Sequence, residues 1–215
     1  MENTKVLVVE DDDFTRASLV AAISGVSTKV VAAANSSASA LREFESMQPD
    51  VMLIDLDLGS GPTGIDLAVA CRRKKSELGI VFLTSYSDPR LLRANLPNLP
   101  DGSKYLVKSQ VSDIAIVVGE IQASMDSARK ALGTSKKMSP SLDWLELTDI
   151  QIETLRLVAE GYTNSEIAKM RYITERGVEQ AISKIAKALA IESATSQNQR
   201  VHIARTYFRL SGKAI

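Results

Sequence analysis

The stretch Asp50-Val51-Met52-Leu53-Ile54-Asp55-Leu56-Asp57-Leu58-Gly59 decides how this chain folds. The apolar run Val51–Ile54 reads as a strand buried on both faces, as in a parallel sheet. It ends in Asp55, with Asp57 two positions on, and glycines at 59, 61 and 64 then break it into a loop. A carboxylate at the C-terminal end of a parallel strand sits where open α/β sheets place their ligands. It can be a metal ligand, a nucleophile, or simply the cap of the following turn. The neighbouring strands choose among these.

Working outward, Lys5-Val6-Leu7-Val8-Val9 is a second buried strand, followed at once by Glu10-Asp11-Asp12-Asp13. Residues 14 to 24 place apolar side chains at 14, 17, 19, 20 and 23, a helical pattern that Gly25 stops. A strand over 29–33 and a helix over 36–47, with Ala40, Leu41 and Phe44 inward, precede the central strand. A helix over 64–75 follows it, burying Ile65, Leu67, Ala68 and Cys71. Ile80–Thr84 is a strand, and a short helix opens near Pro89, since Pro suits the first helical position. Pro97 and Pro100 prevent a long one. Tyr105-Leu106-Val107 is a strand ending in Lys108, and a long helix runs from 112 to about 131. Strand and helix alternating in this way require a five-stranded, parallel, doubly wound sheet of flavodoxin-like type with right-handed crossovers.

All strand ends of such a sheet share one edge. Glu10-Asp11, Asp55, Thr84-Ser85 and Lys108 therefore converge. Three carboxylates within a few ångströms repel unless a cation lies between them, and oxygen-only ligands suit Mg²⁺ or Mn²⁺. A hydroxyl and an ammonium opposite form a seat for a small anion such as a phosphoryl group.

With these residues assembled, 1–125 resembles the receiver domain of two-component response regulators. The resemblance is carried by Val8-Val9-Glu10-Asp11, Leu53-Ile54-Asp55-Leu56, Leu83-Thr84 and Tyr105-Leu106-Val107-Lys108. It implies that Asp55 accepts a phosphoryl group from a histidine kinase in a phosphorelay. It further implies that Asp11 and Asp55 bind Mg²⁺ directly, Glu10 through water, and Asp57 by its backbone carbonyl. Thr84 and Lys108 would hold phosphoryl oxygens, and Tyr105 would be the aromatic that turns inward on activation. The domain would be no enzyme beyond assisting its own phosphorylation and dephosphorylation. The chain departs from the family at Gly59, where Pro is usual, in a loop through Gly64 one residue longer, at Ser85 in place of Ala, and over 96–103. The Asp55-Leu56-Asp57 pair also resembles the Asp-x-Asp of haloacid-dehalogenase-type phosphatases. Those enzymes carry the motif on their first strand and an acidic pair after the Lys, whereas here the acidic pair lies upstream.

Composition fits this reading. The chain has 215 residues, room for two domains, and its hydrophobic content of 45% is globular. Single Cys71 excludes an internal disulfide framework and a cysteine-built zinc site, and fits a reducing cytoplasm. There is no signal-peptide pattern at the N-terminus and no apolar run long enough for a bilayer, so a cytoplasmic protein without membrane contact is expected. Zero net charge hides an asymmetry: residues 1–125 hold 12 Lys/Arg and 16 Asp/Glu (−4), and 126–215 hold 14 and 10 (+4). Different partners for the two parts follow.

Residues 126–143 loosen into a polar linker continuing from the fifth helix, and 144–215 form an all-α four-helix domain. Trp144 is expected to pack rather than do chemistry. Thr148-Asp149-Ile150-Gln151 is a capping box opening a helix whose buried face is Ile152, Leu155, Val158 and Ala159. Gly161 ends it. Thr163-Asn164-Ser165-Glu166 is a second capping box, Thr174 caps a helix to about Ala190 with buried stripe Val178, Ile182, Ile185 and Leu189, and a fourth covers 199–210. A tight turn near Tyr172-Ile173 makes the middle pair a helix-turn-helix.

The stretch 147–190 resembles the LuxR-type DNA-binding domain, and with the receiver it suggests the NarL/FixJ class of transcriptional regulators. That resemblance implies double-stranded DNA as partner, with helix 174–190 in the major groove and Arg176, Glu179, Gln180, Ser183, Lys184 and Lys187 outward. Where the family has Thr, Lys and His, this chain has Gly177, Glu179 and Ala181. Glu179 repels phosphates but can accept from cytosine N4, and Gln180 can read adenine. Either the target sequence is unusual or DNA binding is weak. A homodimer is expected, because one module covers a half-site. The expectation is a response regulator whose phosphorylation switches dimerisation and DNA binding; the alternative is an output domain that binds a protein. His202 is read as a packing or surface residue.

Overall fold

The computed structural model describes residues 3–25, 27–93, 95–132, 145–191 and 198–212. They group into two compact units, one running through Thr84 and resuming at Leu96, the other joining Ser85–Asn95 to the C-terminal helices. Linker residues 133–143 and Trp144 lie outside the described residues.

In the first unit, β1 (Thr4–Val9), β2 (Thr28–Ala34), β3 (Val51–Ile54), β4 (Gly79–Thr84) and β5 (Lys104–Val107) form an all-parallel sheet of order β2-β1-β3-β4-β5. Both faces of its central strands are buried, which is why these strands read as unbroken apolar runs. Val6, Val8, Val51, Leu53, Val81 and Leu83 pack on Ile23 of α1 (Asp13–Ile23) and on Val117 and Ile121 of α4 (Ile114–Leu132). The alternate residues Leu7, Met52, Ile54, Ile80 and Phe82 are equally buried, as are Ala40 and Phe44 of α2 (Ser37–Met47) and Ile65 and Ala68 of α3 (Gly64–Lys74).

Side-chain caps fix where the helices begin. Asp12 accepts from the Thr15 N–H at 2.7 Å, Ser36 from Ser39, and Thr63 forms a reciprocal capping box with Asp66. The helix expected from the apolar positions of 14–24 forms, but those positions do not all turn inward. Phe14 is 81% exposed and Ala17 is also exposed, because Phe14 falls in the first turn, and only Ile23 is fully buried. The short helix expected near Pro89 is a single three-residue 3-10 turn, Pro89–Leu91.

In the second unit, α5 (Asp149–Ala159), α6 (Asn164–Met170), α7 (Glu175–Ala188) and α8 (Gln199–Ser211) bury Ile152, Leu155, Val158, Ile167, Val178, Ile182, Ile185, Ile203 and Tyr207. On α5 the fully buried positions include Thr154 and Leu157, whereas Ala159 is half-buried. Leu189, expected in the α7 stripe, is half-buried and caps that helix. The capping box at Thr148 forms with both halves. At Thr163 only the forward half forms, because the Glu166 carboxylate turns instead to Lys169 at 2.9 Å. The α6–α7 turn places Tyr172 in the left-handed region (φ 53°) with its side chain 96% exposed.

Within this unit Arg90 ties the 85–95 segment to the start of α5. Its Nη2 and Nε grip Asp88, whose side chain is 0% exposed, and its Nη1 donates to the Leu147 carbonyl at 2.8 Å and to Asp149. Asp88 holds the Arg90 guanidinium above its ordinary pKa, since the ion pair favours the charged form more than burial opposes it. Tyr207 also donates to the Leu91 carbonyl.

Candidate phosphoryl and metal site

β1 and β3 end side by side, with Val9 in register with Ile54, so the next residues, Glu10 and Asp55, leave the sheet together. β4 and β5 end with Thr84 opposite Val107, which carries Lys108 out on the same edge. Carboxylate oxygens of Glu10, Asp11 and Asp55 lie within 4.8 Å of one another. Asp55 is 7% exposed, Glu10 and Thr84 are buried, and Asp11 faces solvent.

Lys108 Nζ lies 2.6 Å from Asp55 Oδ2 and 2.7 Å from Glu10 Oε2. Burial alone would depress the Lys108 ammonium, but the Asp55 and Glu10 carboxylates outweigh it and the pKa rises. Burial raises Glu10 above its ordinary range, with Lys108 acting in the opposite direction. Three carboxylates face one ammonium and leave an excess of negative charge in an oxygen-only cluster. This donor chemistry fits a hard divalent cation.

Among the other expected residues, Asp57 donates its N–H to Asp55 Oδ1 at 3.4 Å, and its carboxylate accepts from the Gly59 N–H. Its side chain therefore shapes the loop. Tyr105 is already buried, in register with Phe82, and its ring tilts 49° to the Phe82 ring at 6.3 Å. In the other unit, Arg176, Glu179, Gln180, Ser183, Lys184 and Lys187 are all exposed on α7.

Two contributors escaped the sequence reading. Arg16 Nη1 donates to the Glu10 carbonyl at 2.9 Å and to that of Asp11 at 3.3 Å, pinning the acidic segment to α1. Gly64 lets α3 start against the loop after β3, since a Cβ there would stand 2.0 Å from the Asp55 carbonyl oxygen. Its place directly after the Thr63 cap was the available signal.

The family described as "Response regulator receiver domain" matches residues 6–114. The chain belongs to the response regulators, a class that in general regulates rather than catalyses. Receiver domains bind Mg²⁺ at an acidic pocket, and Glu10, Asp11 and Asp55 form such a cluster.

Among full-length relatives it is similar to the DNA-binding transcriptional activator DevR/DosR of Mycobacterium tuberculosis, 30% identical over 203 residues, covering 89% of this chain and 90% of the relative. It is also similar to the response regulator protein VraR of Staphylococcus saprophyticus, 28% identical over 196 residues and covering 89% and 92%. A solved structure of the Salmonella typhimurium RcsB response regulator shares the fold, with a TM-score of 0.52 at 19% identity over 98% of this chain and 100% of that one. No helix among the described residues is long and apolar enough to cross a membrane.

Proposed function

We propose that Asp55 is the phosphoacceptor of a transcriptional regulator whose α7 binds double-stranded DNA. The observation that carries this is the Lys108 ammonium held 2.6 Å from the Asp55 carboxylate inside a three-carboxylate cluster. An Asp55 oxygen attacks the phosphorus of a phosphohistidine on a histidine kinase, and the phosphorus–nitrogen bond breaks. Lys108 and Thr84 then hold phosphoryl oxygens. Glu10, Asp11, Asp55 and the Asp57 carbonyl would hold Mg²⁺, which supplies charge neutralisation around the incoming group. The chain itself catalyses nothing beyond its own phosphorylation and dephosphorylation. A bound phosphoryl group adds roughly −1.5 to −2 charge beside Lys108, enough to bias a two-state loop.

The exposed face of α7, opposite its buried stripe, supports DNA as the output ligand, as does the DNA-binding name of the 30% identical relative. A homodimer follows from half-site geometry, and the cytoplasm is the compartment where a kinase and DNA are both within reach. The test is anisotropy of labelled promoter and random duplexes across a salt series, with and without a small-molecule phosphodonor and Mg²⁺. Affinity should fall with salt and rise on phosphorylation. Salt-insensitive signals unmoved by the phosphodonor contradict the DNA reading and favour a protein partner.

A further inference from the structure

We propose that Glu179 is a base-reading residue that selects cytosine, so that this regulator recognises its sites through a carboxylate where cations are usual; the inference rests on the DNA-binding reading above. In a helix-turn-helix, the N-terminal turns of the second helix meet the base edges. The first two turns of α7 expose Glu175, Arg176, Glu179 and Gln180, while Val178 and Ile182 point into the core. Arg176 and Glu179 stand one turn apart on one face.

The charge is distributed along the helix in a way that a generic phosphate binder would not need. Glu175 and Glu179 set two negative charges against one positive, Arg176, in the half that enters the groove. Lys184 and Lys187 supply both remaining cations of the exposed face further along. Among the described residues Glu179 forms no ion pair, not even with Arg176 three residues before it, so its carboxylate is not tied up before DNA arrives. A bare carboxylate brought toward phosphates is repelled. In the major groove the amino donors open to it are cytosine N4 and adenine N6, and cytosine suits a carboxylate better because adenine sets its N7 acceptor beside the amino group, while Arg176 suits guanine O6 and N7. Lys184 and Lys187 would then hold the backbone, and α7 would read a G·C-containing step through a paired Arg and Glu.

Glu179 is exposed, so substituting it leaves the core intact. The experiment is selection from a random-sequence duplex pool by the full chain with phosphodonor and Mg²⁺, repeated with Glu179→Gln and Glu179→Lys. The unsubstituted protein should enrich a motif with a fixed G·C pair in each half-site. Glu179→Gln should relax or change that pair alone and bind the original motif about 10-fold more weakly. Glu179→Lys should lose the same preference while gaining roughly one unit of salt slope from a new phosphate contact. If Glu179→Gln enriches an unchanged motif with equal or higher affinity, Glu179 is only a solvated residue and the proposal is overturned. If the unsubstituted chain enriches nothing, the DNA-binding reading fails and takes this proposal with it.

Discussion

Lys108 Nζ sits 2.6 Å from Asp55 Oδ2, and the same ammonium reaches Glu10 at 2.7 Å, so one cation serves two buried carboxylates. Removing it leaves both uncompensated. Lys108→Met should destabilise the metal-free protein by about 2 kcal/mol, less than the ~3–5 kcal/mol of a fully buried pair because 24% of the Lys108 side chain meets solvent. The variant should also gain more from Mg²⁺ than the parent, since its cluster carries the full charge of three carboxylates. Thermal unfolding with and without Mg²⁺ checks both; equal midpoints without Mg²⁺ would count against the pairing.

Arg90→Ala strands Asp88, whose side chain is 0% exposed. The expected loss is about 2–4 kcal/mol in urea unfolding, almost none of it from Asp149, which is largely solvent-exposed. Arg90→Lys should recover less than half, because an ammonium cannot span Asp88 and the Leu147 carbonyl together. Full recovery by Lys would show that charge alone matters there.

Glycines divide by what surrounds them. Gly119 lies exposed within α4 with nothing near its missing Cβ, so Gly119→Ala should stabilise by about 1 kcal/mol. Gly177→Ala meets only ordinary contacts, 3.4 Å at the nearest, and should move the same way. Gly64→Ala must push the Asp55 carbonyl aside and Gly102→Ala would collide with the Ser127 carbonyl at φ 74°, so both should destabilise. Melting temperatures of the four variants test this ordering.

Cys71 is buried, which pushes its thiol up to about 11 from an ordinary 9.0. It should resist thiol reagents at neutral pH until the chain unfolds. Between pH 9 and 11 the unfolded chain releases this proton while the folded chain keeps it, so stability falls as pH rises through that window, by on the order of 2 kcal/mol. Cys71→Ala should remove that part of the slope, which paired urea titrations at pH 8 and pH 11 would reveal.

The sheet and its functional edge were legible because both depend on local pattern. Buried parallel strands are unbroken apolar runs, and the residue after each run must lie on the shared edge, which is how Glu10, Asp55 and Lys108 could be grouped across nearly a hundred positions. Arg16 and Arg90 were not legible. Each also pairs with a carboxylate nearby in sequence, Arg16 with Asp13 and Arg90 with Asp88, but the reach to the Glu10 and Leu147 carbonyls has no sequence signal, because every residue possesses a carbonyl. The exposure of Phe14 was not legible either, because helical periodicity does not say which face of a first turn meets the sheet. Glu166 had the spacing of a capping box but also a Lys three residues on, and the pair won.

Asp55 should be the residue that carries the phosphoryl group. Incubating the full chain and its Asp55→Asn variant with a radiolabelled small-molecule phosphodonor and Mg²⁺ tests it directly. The parent should gain acid-stable, base-labile label and lose it when the cation is chelated beforehand, and Asp55→Asn should gain none. Equal labelling of the variant would contradict the assignment.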